Sequence, residues 1–438
     1  MTRCLALAAA LPFTLLAACS DAPFDDASQV GPNPALPEPA SALISSVKVA
    51  PVVGWQAGQT PAVAPGLAIK ALAMKLNNPR FVYVLPNGDI LVVQAKRPPR
   101  APSSRPKDPV VGLVMSFATK APVGPPSVSR ITLIRDADGD GTPEVVTTLL
   151  DGLNAPFGVA WFEGTLYVAN TDAVVTFPHA LGSTAAIATP GRVLTALPGG
   201  PINHHWTKSL VLSPDGQRLY ATVGSNSNVA ENGFEAEHNR AAVLEIDRVS
   251  GRWRPFATGL RNPNSPAFYP GTNRLYVVVN ERDDLGAHLV PDYLTSVQDG
   301  GFYGWPYSYY GRREDPRIAP QHRRPDLVAK AISPDYALGS HVAALGLTFN
   351  TGSQFAQYRG GAFIGEHGSW NRRSPSGYKV SFVPFAGGRP AGAKQDVVTG
   401  FLVDGKARGR PVGVAIDRFG ALLIADDSGN TLWRVTAK

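Results

Sequence analysis

Arg261 and Asn262 stand side by side in GLRNPN, a permanent cation next to an amide. A short alternating stretch, Arg274 to Val279, separates them from four carboxylates, Glu281, Asp283, Asp284 and Asp292. An aromatic, glycine-rich turn follows at Gly301-Phe302-Tyr303-Gly304-Trp305-Pro306. A cation beside an amide suits an anionic group, carboxylates in a loop suit a hard metal such as calcium, and an aromatic turn can wall a planar ligand. The same residues also fit a strand with a charged surface loop and a packed aromatic turn.

Four histidines extend the inventory. Asn203-His204-His205 precedes an apolar stretch, and His341 and His367 flank another. An imidazole titrates near neutral pH and can serve as a general base; taken alone, each also fits a buried, satisfied histidine. No HxH or HExxH spacing favours a transition-metal site. Arg408-Gly409-Arg410-Pro411 stands just before an apolar stretch, as Arg261-Asn262-Pro263 does. Guanidinium forks at equivalent places suit the carboxylates of one ligand. Asp136-Ala137-Asp138-Gly139-Asp140-Gly141 resembles the start of a calcium loop, but Thr147 stands where an EF-hand needs its closing Glu. A charged hairpin turn between Ile131-Thr132-Leu133-Ile134 and Val145 to Leu150 is the competing reading. No nucleophile elbow, P-loop or dinucleotide fingerprint is visible.

The elements that must position these residues repeat. An apolar strand, a Gly-containing turn and a second apolar strand recur at Phe81 to Val93, Phe157 to Ala169, Ser209 to Val223, Ser265 to Val279, Leu345 to Gly365 and Val412 to Ala425. Turn cores such as Pro86-Asn87-Gly88-Asp89 and Ser213-Pro214-Asp215-Gly216 are hairpin signals. Units recurring at intervals of roughly 50–80 residues, none able to bury both faces alone, pack radially. The expectation is all-β: one six-bladed β-propeller of four-stranded antiparallel blades, with Leu67 to Leu76 closing the ring against the last blade. A pair of β-sandwiches is the alternative. In a propeller, residues that precede inner strands meet at the mouth of the central channel.

Composition agrees. The 438 residues include 44 Gly and 40 Pro, and only 17% are charged, which favours turns and short strands over long helices. A net charge of +7 without a dense Lys/Arg block argues against nucleic acid and suits an anionic cofactor, an acidic electron-transfer partner or an anionic membrane surface. The two cysteines, Cys4 and Cys19, both lie at the N-terminus, so the fold has no disulfide, thiol nucleophile or haem-attachment motif. The apolar run Leu5 to Ala18 is too short to span a bilayer and ends in Leu16-Ala17-Ala18-Cys19. This resembles a bacterial lipobox, which makes residues 1–19 a lipoprotein signal and Cys19 the lipidated mature N-terminus. An ordinary signal peptide is the alternative. Residues 20–47, with GPNPALPEPAS, read as a Pro-rich tether, and residues 48–438 as the propeller.

The motifs LPNGDILV, ITLIRDADGDG, LNAPFG, VGSNSNVAENG, GLRNPN, NERDDLG, VPDYLTSV, GGFYGWPYSYYG, LGSHVAALGL, EHGSWNRR and GRPVGVA resemble those of the glucose/sorbosone dehydrogenase family of pyrroloquinoline-quinone (PQQ)-dependent propellers, and look closest to its L-sorbosone dehydrogenase-like branch. The resemblance runs from about Leu76 to Val435. It implies PQQ, a planar ortho-quinone with three carboxylates, and calcium. It makes His205 the base for the substrate hydroxyl and Arg261, beside Asn262, the group that polarises the quinone carbonyl. Arg408 and Arg410 match the cofactor-clamping pair. Asn154 in LNAPFG, and His367 and Arg372 in EHGSWNRR, join the cofactor contacts, and Glu281, Asp283, Asp284 and Asp292 are the calcium candidates. The implied function is a periplasmic, lipid-anchored sugar or aldose dehydrogenase of the sorbosone type. It would oxidise an anomeric hydroxyl or aldehyde hydrate and pass electrons to an external cytochrome or quinone. A non-catalytic sugar-binding propeller and a calcium-dependent lactonase-like hydrolase are the rival functions. The chain departs from the glucose enzymes in carrying His204 where they have an acid, and Ser265-Pro266 after the RN motif.

Overall fold

The computed structural model describes residues 24–40, 48–98 and 128–438. Six antiparallel blades surround a central axis. Their inner strands are Pro79–Val84, Val159–Phe162, Leu210–Leu212, Asn262–Phe268, Ala344–Phe349 and Pro411–Ile416. Each starts at one end of the channel, the mouth, and runs to a tight turn at the opposite face. Gly88 and Gly216 supply the positive φ that those turns need, at 93° and 71°. Side chains finish the job. In the first blade Arg135 holds the buried Asp89 through two bonds of 2.6 and 2.7 Å, and in the third Ser213 Oγ donates to Asp215.

The ring closes as the repeat pattern requires. Leu67–Ala73 pairs antiparallel with Thr431–Ala437, the third strand of blade 6. N-terminal sequence thereby completes the last blade, and six blades carry no free seam. Apolar layers lie between neighbouring blades. Tyr276, Val278, Leu347 and Ile364 fill the space between blades 4 and 5, and Phe363, Phe382, Ile424 and Trp433 that between blades 5 and 6. Each such fully buried side chain contributes about 1.5–3 kcal/mol. Burial falls outward: Leu422–Asp426 is buried throughout, whereas the outer strand Arg192–Ala196 is half-buried to exposed.

The reading of residues 20–47 as a tether needs correction. Asp26–Gln29 forms a 3-10 turn, and Val30–Gly31 adds a fifth strand to blade 4 by pairing with Tyr336–Ser340. Gln29 is fully buried: its amide bonds the His288 carbonyl and accepts from Ser340 Oγ at 2.8 Å. Ala40 N donates to the Leu285 carbonyl. The described part of this segment is therefore docked on the propeller, because its polar side chains find specific partners. Cys19 lies outside the described residues.

Candidate functional site

Most of the residues singled out by the sequence lie at the mouth. His205 precedes the inner strand of blade 3. Its Nδ1 is 2.8 Å from the Ser225 carbonyl, and its backbone N–H bonds the same oxygen. A carbonyl can only accept, so Nδ1 carries the hydrogen and Nε2 keeps its lone pair. Burial, then His204 and Arg261, hold the imidazole well below its usual pKa. It is therefore neutral at pH 7 and able to accept a proton.

Ser225 links this histidine to the cation of blade 4, since its N–H donates to the Arg261 carbonyl at 2.8 Å. The Arg261 guanidinium, 4% exposed, is locked by the Glu281 carbonyl at 2.6 Å, Asn228 Oδ1 at 2.9 Å and Asp283 at 3.1 Å. Asn262 Oδ1 is buried with no partner. A Cβ at position 224 would overlap both this oxygen and His205, so Gly224 is what lets blades 3 and 4 approach here. Asp283 is the hub on the far side of Arg261. It accepts from Asn371 Nδ2 at 2.7 Å and lies 3.7 Å from His341 Nδ1. Burial raises its carboxyl pKa against the opposing pull of Arg261.

A second cluster covers blades 5, 6 and 1. His367 Nε2 is 3.0 Å from Asp427, which also takes Arg80 at 2.6 Å. Burial alone would raise the Asp427 carboxyl, but His367 and Arg80 hold it far below the usual range. Arg410 stacks over Tyr378 at 4.9 Å and donates to its hydroxyl at 2.6 Å. The turn that carries Arg408 and Arg410 is fixed from beneath by Asp426. That carboxylate accepts from Arg410 N, Gly429 N and the indoles of Trp55 and Trp433. A Cβ at Gly409 would enter the same space.

Other expected residues take different places. Asn154 is exposed at the mouth of blade 2 and bonds Asp172. Arg372, 3% exposed, pairs with Asp26 of the docked N-terminal arm at 2.8 Å. The four calcium candidates do not converge. Glu281 pairs with the buried Arg282, Asp292 accepts from the N–H groups of Glu281 and Ala343, Asp283 pairs with Arg261, and Asp284 is exposed. One reason is local: Arg282, also bound to Asp315, takes one oxygen of Glu281. Among the described residues, the acidic group whose ligand atoms come within 4.8 Å is Asp136, Asp138 and Glu144, at the opposite face. All three cap their own turn, accepting from backbone N–H groups of residues 137–141.

Several mouth residues escaped the sequence reading. Arg80-Phe81 opens blade 1 much as Arg410-Pro411 opens blade 6, so blade position alone could have found Arg80. Asn228, Asn371 and Asp427 gave no local signal. Lys208 is fully buried, and its Nζ reaches Asn203 Oδ1 and the carbonyls of His205 and Trp206. Burial, then Arg240, depress its pKa well below the usual value. It braces the turn that presents His205.

The sequence pattern of this scaffold is a known one: a model described as glucose/sorbosone dehydrogenase matches residues 166–369, across blades 2 to 5. The match spans just under half of the chain and takes in the Arg261 and His205 loops of the mouth. A TrAA12-like model matches residues 321–438. Among solved structures, the propeller is similar to the holo PQQ domain of pyranose dehydrogenase from Coprinopsis cinerea (19% identity, 89% of this chain and 100% of that one, TM-score 0.67). It is equally similar to the calcium structure of a Trichoderma reesei carbohydrate-active enzyme of family AA12 (19% identity, 90% and 100%, TM-score 0.68). An uncharacterized protein of Borreliella burgdorferi is 27% identical over 301 residues, 66% of this chain and 78% of that protein. The matched pattern supports an oxidoreductase.

Proposed function

We propose that this oxidoreductase uses PQQ to oxidise a sugar at an anomeric hydroxyl or aldehyde hydrate, with sorbosone-type substrates the first to try. The observation that carries the reading is His205: a neutral imidazole with its Nε2 lone pair free, tied through Ser225 to Arg261, at an arginine-rich mouth. The donors there suit a planar tricarboxylate. The Nε atoms of Arg80, Arg372 and Arg410 are buried without an acceptor. Arg408 has no side-chain partner among the described residues. Arg261, Asn262, Arg408 and Arg410 would hold the cofactor's polar groups. When bound, PQQ supplies an ortho-quinone that takes up a hydride equivalent.

The chain's own residues do the rest. His205 Nε2 accepts the proton of the substrate hydroxyl, which raises electron density on the carbon to be oxidised. The Ser225 carbonyl fixes the tautomer, and Lys208 braces the turn. Asn228 and Asp283 hold the Arg261 fork rigid, so its charge is oriented before reaction. Calcium belongs to the same proposal. Glu281 Oε2 is taken by Arg282, but Oε1 is buried without a partner, as is the hydroxyl of Tyr293 beside it. Unpaired oxygens of this kind suit a hard cation.

No described helix is long and apolar enough to cross a membrane. We propose a periplasmic chain held by lipid at Cys19, donating electrons to an external acceptor. The functional test is absorbance titration of the metal-loaded apo-protein with PQQ, followed by dye reduction across a panel of sugars and aldehydes. Saturable PQQ binding with sugar-dependent reduction is expected. Calcium-dependent ester hydrolysis without PQQ would replace this reading with a lactonase-like one.

A further inference from the structure

The mouth rim over blades 4 to 6 carries features that the site does not use. One is the point where the N-terminal arm arrives. Phe24 packs on His288 at 5.2 Å and Asp26 bonds His288 and Arg372, so the arm reaches the fold at the mouth. Cys19 is five residues before Phe24, a span of at most about 18 Å. A propeller strand alone is longer than this, at about 3.3 Å per residue over seven residues.

A second feature is apolar. Val49, Val52 and Val53 are 39%, 48% and 56% exposed. Their segment lies along the rim, with Lys48 N bonded to the Trp370 carbonyl and Val53 N to that of Ala407. The third is basic. The excursion after Gly301–Phe302 is fixed to the mouth side by Trp305 Nε1 on the Asn228 carbonyl and Arg317 on that of Asp283. It exposes Arg312, Arg313 and Arg323, and Lys48 and Arg373 are exposed beside the valines. Its acids are fewer: Asp315 is buried in ion pairs, Asp326 is paired with Arg324, and Glu314 is exposed. Outside the excursion the same rim also exposes Asp25, Glu38, Asp284 and Asp404, so the basic surface is local to the excursion, which packs through Tyr307 on Phe234 of the blade 3 loop.

We propose that the blade 4–6 sector of the mouth rim rests on an anionic phospholipid surface. The excursion's arginines meet headgroup phosphates and the valines enter the interface. The proposal agrees with the reading of Cys19 as a lipid anchor, which would deliver this same face to the bilayer. The surface has its own chemistry, however, and is tested without the anchor.

A chain beginning at Ser20 keeps every contact described, including ring closure, and contains no cysteine. Glu314→Cys or Asp215→Cys therefore gives one dye site, on the basic rim or on the opposite face. The probes are vesicles of phosphatidylcholine, alone or mixed with phosphatidylglycerol, carrying an acceptor-labelled lipid. Binding to the mixed vesicles is expected, weakened by salt. Energy transfer should be strong from position 314 and weak from 215. Arg312→Glu with Arg313→Glu and Arg323→Glu should lower affinity at least about a hundredfold. No binding at low salt, equal transfer from both positions, or salt-sensitive binding to a soluble acidic protein but not to vesicles would overturn the proposal. The mass of the native N-terminal peptide reports the lipid on Cys19 separately, so the two readings fail independently.

Discussion

Replacing His205 by Gln removes the only atom that the mechanism asks to take up a proton, while leaving an amide of similar reach. The structure fixes which nitrogen is involved. Nδ1 is committed to the Ser225 carbonyl, which leaves Nε2 as the ring nitrogen able to accept a proton. A general base contributes about 10²- to 10⁴-fold, so turnover at saturating PQQ should fall by at least about a hundredfold. PQQ affinity should stay near that of the parent, because the arginines are untouched. The pH profile is a second readout. The His205 pKa lies well below 6.5, so the base is deprotonated at pH 6, where an ordinary imidazole would be roughly three-quarters protonated. The rate in dye-reduction assays should hold from pH 7 to pH 6 and fall only at lower pH. A variant within about tenfold of the parent, or a rate that drops between pH 7 and 6 along an ordinary imidazole titration, would refute the reasoning.

Other outcomes follow from neighbouring groups. Arg408→Ala should weaken PQQ binding, read by absorbance titration, with little loss of turnover at saturation, because its expected partner is a carboxylate and not the reacting atoms. Burial pushes the Asp426 carboxyl up to about 6 despite its donors. The folded state therefore keeps this proton while the unfolded chain loses it near pH 4, and stability should decline as pH rises from about 4 to about 6, by at most about 3 kcal/mol. Asp426→Asn should flatten that slope in chemical denaturation. Exhaustive chelation should lower the melting temperature and calcium restore it; an unchanged melting curve with no metal by elemental analysis would remove calcium from the proposal. Cys19→Ser should release the chain from the lipid-extractable fraction, and acylated Cys19 should be visible in the mass of the native N-terminal peptide.

The strand architecture was legible because period-two apolar runs and Gly turns act locally. LPNGDILV and LSPDGQRL become hairpins whatever surrounds them, and six of them leave few alternatives to a ring. The closing role of Leu67–Ala73 followed from an unpaired strand and an incomplete last blade. That the histidine and arginines just before inner strands meet at the mouth was legible for the same reason, since blade position sets where they lie. Loops were not, because their side chains are decided by partners far away in sequence. The acidic run after Asn280 read as four converging carboxylates, yet Arg282 in its midst takes one oxygen of Glu281 together with Asp315, and Asp283 turns to Arg261. Residues 24–40 read as a tether from their prolines, while a single buried Gln29 and the pairing of Asp26 with Arg372 dock them. Composition reports backbone preference; it does not report whether one side chain finds a partner.

The central claim is that the arginine-rich mouth binds PQQ beside a neutral histidine and turns over sugars there. Titration of apo-protein with PQQ, carried out with the parent and with Arg408→Ala and Arg410→Ala, followed by sugar-dependent dye reduction with the parent and His205→Gln, tests it most directly. The account predicts saturable binding by the parent, weakened binding by both arginine variants, and sugar-dependent reduction that vanishes with His205→Gln. An apo-protein that takes up no PQQ, or binds it equally well without Arg408 and Arg410, would contradict it.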